Sequence, residues 1–223
     1  MVRAGRIVRV NGQPAMWEPL PEGAPKFVAD FDAAWQRAWP GCVPLGYDLR
    51  KTLAPTWVRF HSLLEAKRYP DNEAERGEVL RRHLTVLADL AGREDATLVV
   101  VSTGFSQQPS GSPLDVDPTV RQYTSDAAFW RSFVKDNDVS RDPDVWWFHL
   151  YLSQATLNSE TLAGLLARIA VDDADPVIVA APDAEWLYHP YDGGADVITP
   201  STRARDRLRQ AYSGWLSPLP SGL

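Results

Sequence analysis

Histidine, arginine and aromatic residues alternate with aliphatic ones in several short apolar runs of this chain, which is the pattern most open to chemistry. Alternate residues of a strand project to the same face. Trp57, Arg59 and His61 therefore share one face of their run, with Val58 and Phe60 on the other. Trp147, His149 and Tyr151 share a face opposite Trp146, Phe148, Leu150 and Leu152, and Trp186 and Tyr188 lie together with Leu187 and His189 behind them. Those eight polar-aromatic residues define a candidate binding face: rings for stacking, a guanidinium for an anion, and imidazoles that titrate near neutral pH. The plain alternative is the half-wet side of an antiparallel sheet, where Trp and Tyr cover area and keep polar edges in water.

A second candidate is the turn that carries His189, Tyr191, Asp192 and Asp196. Histidine with carboxylates is a ligand set for zinc or iron, but no spaced His pair accompanies it, and Asp192-Gly193-Gly194 is ordinary turn composition. No metal and no cofactor is therefore expected. The chain also lacks a Gly-x-Ser-x-Gly elbow, a Walker loop and a dinucleotide fingerprint. His83 falls on the apolar stripe of a helix and reads as a packed core residue, and Cys42 reads as a structural thiol. Arg203, Arg205, Arg207 and Arg209 flank a Leu208/Tyr212/Trp215 stripe and read as solvated helix edges.

The elements that must position these residues follow from periodicity. Arg6–Val10 and Ala15–Trp17 around Asn11-Gly12 suggest a hairpin, followed by a Pro-rich connector. Phe27, Phe31, Trp35 and Ala38 predict a helix that Pro40-Gly41 stops. Asn72 with Glu75 opens the clearest helix, which runs to Gly92. Strands are expected over 56–61, 98–101, 145–152 and 177–181, with helices from Ser159 and after Ser201. The 186–198 stretch reads as a hairpin, 104–118 as a surface loop, and 129–134 as either a strand or a short helix. This order favours an α+β fold: residues 1–24 as a hairpin and connector appendage, residues 25–223 as one domain. Its sheet would be mixed or mainly antiparallel, with five to seven strands and about four helices mainly on one face.

Composition narrows the function classes. The 223 residues include one cysteine and nine tryptophans, so no intrachain disulfide is possible and large rings abound. No signal peptide or apolar run of membrane-spanning length is present in the sequence, which predicts a cytoplasmic protein without a membrane partner. The net charge of −6 argues against nucleic acid, whose binders carry a basic footprint.

Several strings resemble a bacterial family known as domain of unknown function 3885. They are Trp57-Val58-Arg59-Phe60-His61-Ser62-Leu63, Lys67-Arg68-Tyr69-Pro70, and the run from Leu80 to Leu87. The most specific is Trp186 to Ile198, followed by the Arg-rich helix and Trp215-Leu216. Family members resemble Tyr-Asp-Asp-Arg-Gly-x-Asp in that hairpin, where this chain has Gly193-Gly194. The resemblance spans most of Trp35 to Leu216 and implies a bacterial, soluble, single-domain protein, with no activity attached. The residues themselves favour a non-enzymatic binding module with a protein or other ligand, of the immunity or antitoxin kind. The alternative is a small-molecule hydrolase or transferase built on His149, His189 and Asp192.

Overall fold

The computed structural model describes residues 6–10, 13–134 and 146–217, without the side chains of 6–17. The predicted Asn11-Gly12 turn and the acidic stretch 135–145 lie outside the described residues.

One antiparallel sheet organises the chain, with helices on both faces. In chain order its strands are β1 (Arg6–Val10), β2 (Gln13–Trp17), β3 (Trp57–His61), β4 (Thr97–Ser106), β5 (Ala128–Val134), β6 (Trp147–Thr156), β7 (Ile178–Ala180), β8 (Leu187–Tyr191) and β9 (Gly194–Ile198). Their spatial order is β1-β2-β5-β6-β4-β7-β8-β9-β3. The seven strands from Trp57 onward match the expected sheet. The N-terminal hairpin extends it by two more, because Met16 and Trp17 pair with Val134 and Phe133. The ambiguous stretch 129–134 is a strand, with a register shift between Phe129 and Arg131.

The described helices are α1 (Lys26–Ala38), α2 (Gly46–Thr52), α3 (Glu73–Ala91), α4 (Pro118–Tyr123), α5 (Glu160–Ile169) and α6 (Thr202–Ala211). Four of the six pack on one face. There Leu98, Val100, Val179 and Val197 meet Val86 and Leu87 of α3, Val120 of α4, Leu162 and Leu166 of α5, and Leu208 of α6. On the other face Val99, Val101, Leu150 and Leu187 meet Phe31 and Trp35 of α1 and Leu49 of α2. Because β4 is apolar on both sides, both faces must be covered, and the expected half-wet face does not exist.

Local chemistry sets the helix ends. The Asn72 side chain accepts from Glu75 N at 3.0 Å, and Gly92 closes α3 in the left-handed conformation at φ 70°. Ser159 and Ser201 cap α5 and α6 in the same way. The short α2 and α4 carry no long apolar period, so the sequence gives little sign of them. The 104–118 stretch is partly ordered on the sheet: β4 runs through Ser106, and Gly104 bridges to Val116.

Candidate functional site

The eight candidate residues divide between the two faces. Trp57, Arg59 and His61 lie on the α1/α2 face, since their alternates Val58 and Phe60 enter the opposite core. Tyr151, Trp186 and Tyr188 belong to that opposite core, and His149 and Trp147 share their side of the sheet. A single Trp/His/Arg face is therefore a misreading. Period two fixes which residues of one strand are co-facial, but not which face each strand turns to a given core.

On the α3 to α6 side His149, Tyr151, Trp186 and Tyr188 are buried, and Trp147 is half-buried. His149 is 0% exposed, with Nδ1 2.6 Å from Ser132 Oγ and Nε2 2.8 Å from Ser106 Oγ. Ser106 also donates to the Gln108 carbonyl at 3.1 Å. Every group is satisfied when His149 donates from Nε2 to Ser106 and accepts at Nδ1 from Ser132. Toward Ser106 this is the reverse of a base that takes a proton from a nucleophile; toward Ser132 the ring does accept the hydroxyl proton, but that serine is itself buried at 1% exposure. Burial lowers the His149 pKa, with nearby Asp115 opposing, so the ring stays neutral. Tyr188 holds His83 Nδ1 at 2.6 Å, and His83 is a packed core residue as expected.

The other candidates converge. Antiparallel register places Arg59 opposite Asp196, and Asp196 opposite His189, so the three form one row across β3, β9 and β8. The next row is His61, Gly194 and Tyr191. The hairpin residues His189, Tyr191 and Asp196 thus join Trp57, Arg59 and His61 in one cluster at the edge of the sheet. Asp192 stands apart in the turn. It pairs with Arg68 and accepts from the Tyr69 hydroxyl at 2.6 Å. Burial works against its charge, but those partners hold its pKa below the ordinary carboxylate value.

Arg59 is the centre of the cluster. Its Nε and one terminal nitrogen reach the two Asp196 oxygens at 2.8 and 3.3 Å, and the two side chains are 14% and 5% exposed. The guanidinium lies over the rings of Trp57 and Tyr191, 5.6 and 5.2 Å from their centroids. Burial, followed by the charges of Arg59 and Arg82, pushes the His61 pKa down. Burial pushes His189 down to about 4, against the opposing pull of Asp196. Both rings are neutral at pH 7, each offering one donor and one acceptor.

Two glycines make the cluster possible. A Cβ on Gly46 of α2 would stand 1.9 Å from the His189 ring, so this helix can sit on the imidazole only as glycine. A Cβ on Gly194 would stand 2.4 Å from the Phe60 carbonyl. The Gly194 position therefore excludes a side chain between His61 and Tyr191. Sequence reasoning missed Gly46 altogether, and the only signal for it was a glycine at the start of an unremarkable stretch.

Three ring nitrogens in this cluster are buried without a hydrogen-bond partner among the described residues: Trp57 Nε1, His61 Nε2 and His189 Nδ1. No group of three or more His, Cys, Asp or Glu residues able to hold a metal occurs among the described residues. The arrangement can recognise a ligand that both donates and accepts hydrogen bonds, next to a cation already neutralised by its own carboxylate.

Fold and cluster together define an α+β domain with a cluster of polar and aromatic side chains at one sheet edge. The family model described as domain of unknown function (DUF3885) matches residues 45–220, and the chain belongs to that family. The match begins at Leu45, so it includes α2 and every residue of the edge cluster but leaves α1 outside. No curated protein and no solved structure matches the chain.

Proposed function

We propose that this protein is a non-enzymatic binding module that recognises a polypeptide partner at the β3 edge of its sheet. The observation that carries the reading is the set of three unpartnered ring nitrogens around the Arg59–Asp196 pair. Each buried and unsatisfied polar group costs about 1–3 kcal/mol, so three in one place are expensive unless a partner completes them. A mixed set of donors and acceptors fits the N–H and C=O groups of a main chain better than it fits a simple anion. β3 is the last strand of the sheet among the described residues. Its outer edge is tied down at both ends, where Trp57 N–H donates to the Ala54 carbonyl and Arg82 donates to the His61 carbonyl at 3.0 Å, which leaves the main chain at Arg59 between them for a partner. Tyr47, Leu64 and Tyr69 are exposed on the segments that border the cluster, and such residues anchor protein interfaces.

No Ser, Thr or Cys belongs to the cluster, and its one carboxylate, Asp196, has both oxygens held by Arg59. The hydrolase or transferase alternative needs His149, His189 and Asp192 together, whereas they lie on opposite faces and in a salt-bridged turn. No described helix is long and apolar enough to cross a membrane. A bacterial cytoplasm suits the free, buried Cys42, whose thiol burial pushes further from ionisation. An immunity-type role, in which one partner protein is held in a neutral complex, is the biological form we favour. The test is affinity capture from a lysate of the encoding organism with wild type and with Trp57→Ala. A partner captured at comparable stoichiometry by both would remove the edge cluster from consideration.

A further inference from the structure

A second site lies on the opposite face, under the chain segment that leads from Pro113 through α4 to Ala127. A cavity of about 280 Å³ is lined there by Ser102, Pro113, Val116, Arg121, Thr124, Ser125, Ala127 and Tyr151. Ser102 and Tyr151 are each 1% exposed. Ser102 Oγ, Tyr151 OH and Arg121 Nε are all buried with no hydrogen-bond partner among the described residues, and all three residues line this one cavity. Buried polar groups are nearly always paired, so three orphan groups around one void call for an occupant that accepts from them, ordered water or a ligand.

The chemistry of that occupant follows from the lining. All three groups can donate, and Arg121 adds one positive charge, its buried Nε without a hydrogen-bond partner among the described residues. Burial, followed by the charge of Asp115, raises the Tyr151 pKa and keeps the phenol protonated as a donor. The remaining walls, Pro113, Val116 and Ala127, are apolar. The volume is at the small end of ligand pockets, which run from about 300 Å³ upward. Negative charge is also close by: Asp115 is in the wall segment, and Asp117 caps α4 by accepting from Val120 N at 2.9 Å. A dianion would face those carboxylates with a single cation to offset it, whereas a monoanion balances Arg121 one to one.

We infer that this cavity is a binding site for a small monocarboxylate with an apolar body. Its carboxylate oxygens accept from Arg121, Tyr151 and Ser102, and its body rests on Pro113, Val116 and Ala127. The site is separate from the β3 edge cluster, which lies across the sheet. It is also distinct from the His149 network, whose hydrogen bonds are internally complete. Gly111 forms part of its surroundings: a Cβ there would stand 2.8 Å from Tyr151 OH and 2.7 Å from the His149 ring. The backbone of the 104–118 stretch is therefore laid directly against the tyrosine.

Isothermal titration of the full chain with benzoate, benzamide and phenyl phosphate tests the inference. Benzoate is expected to bind, with benzamide weaker by about tenfold or more because it cannot balance Arg121. Phenyl phosphate, largely dianionic at pH 7.5, is expected to bind more weakly than benzoate. Arg121→Gln should reduce benzoate affinity by about tenfold, and Tyr151→Phe and Ser102→Ala by several-fold each. Arg121 is only partly buried, so its replacement should fold; if it does not, Tyr151→Phe, which removes a single oxygen, decides the matter. Absence of benzoate binding at about 10 mM, unchanged binding in these variants, or tighter binding of phenyl phosphate would each overturn the assignment.

Discussion

Two buried Arg–Asp pairs lie on the same face of the sheet, and they are finished in different ways. Arg131 of β5 meets Asp32 of α1 through two hydrogen bonds of 2.7 and 2.6 Å and donates a third to the Glu18 carbonyl at 2.6 Å. Trp130 Nε1 donates to the same aspartate at 2.9 Å. The register shift in β5 places Trp130 and Arg131 together over α1, so one carboxylate gathers both. Arg59 and Asp196 make a comparable pair, but the rings around them keep three nitrogens unpartnered. The first pair is a closed bolt between helix and sheet. The second is open and incomplete, and under the binding reading proposed above that incompleteness is what distinguishes it from a structural network built of the same residue types.

The comparison can be broken most forcefully at the closed pair. Asp32→Ala leaves Arg131 buried without its carboxylate and Trp130 without its acceptor, and should cost about 3–5 kcal/mol of unfolding free energy in urea titrations. At the open pair, replacing both partners by apolar residues, as Arg59→Met with Asp196→Leu, should cost no more than about 1–2 kcal/mol, because neither charge is left alone. The same kind of double replacement at Arg131 and Asp32 should cost more, since it also strands the Glu18 carbonyl and the Trp130 indole. Equal costs at the two sites would erase the distinction.

Acid should act next. Burial sets the His83 pKa at about 4, against about 6.5 in an unfolded chain. The unfolded state then binds the extra proton, so the stability His83 contributes is complete above about pH 6.5 and is lost as pH falls toward 4. From this residue alone the loss between pH 7 and pH 5 is about 2 kcal/mol, and His189 is shifted in the same direction. His83→Gln should flatten the pH dependence of the urea midpoint over that interval, and an unchanged slope would contradict a neutral buried ring.

The smallest effects sharpen the contrast among tryptophans. Trp35 and Trp39 donate their indole N–H to the Cys42 and Ala184 carbonyls at 2.9 and 2.7 Å. Trp39→Phe should cost about 1 kcal/mol beyond lost packing. Trp57→Phe removes an N–H that has no partner, so its hydrogen-bonding contribution should be nil or slightly stabilising in the free protein. A clear hydrogen-bond loss at Trp57 would mean that its N–H is satisfied within the chain.

Much of the scaffold could be read from periodicity, because α1, α3, α5 and the central strands carry apolar patterns or caps that match their local structure. The α+β class followed from their order. The site was half legible. Each of its six residues was singled out, but they were assigned to two different groups, since co-facial order within a strand says nothing about which core that strand turns to. Trp186 and Tyr188 were joined with Trp57 and Arg59 for that reason, although they point into opposite layers. Gly46 and the Arg121 cavity were illegible, because both depend on close approach between segments far apart in sequence.

The central claim is that the β3 edge cluster exists to be completed by a partner, and affinity capture with the Arg59→Met/Asp196→Leu double variant tests it most directly. We predict that wild-type protein retains one stoichiometric partner from a lysate of the encoding organism, and that the double variant, folded by circular dichroism, loses it. Retention of the same partner by the folded double variant, or a wild-type protein that captures no partner at all, would contradict the account.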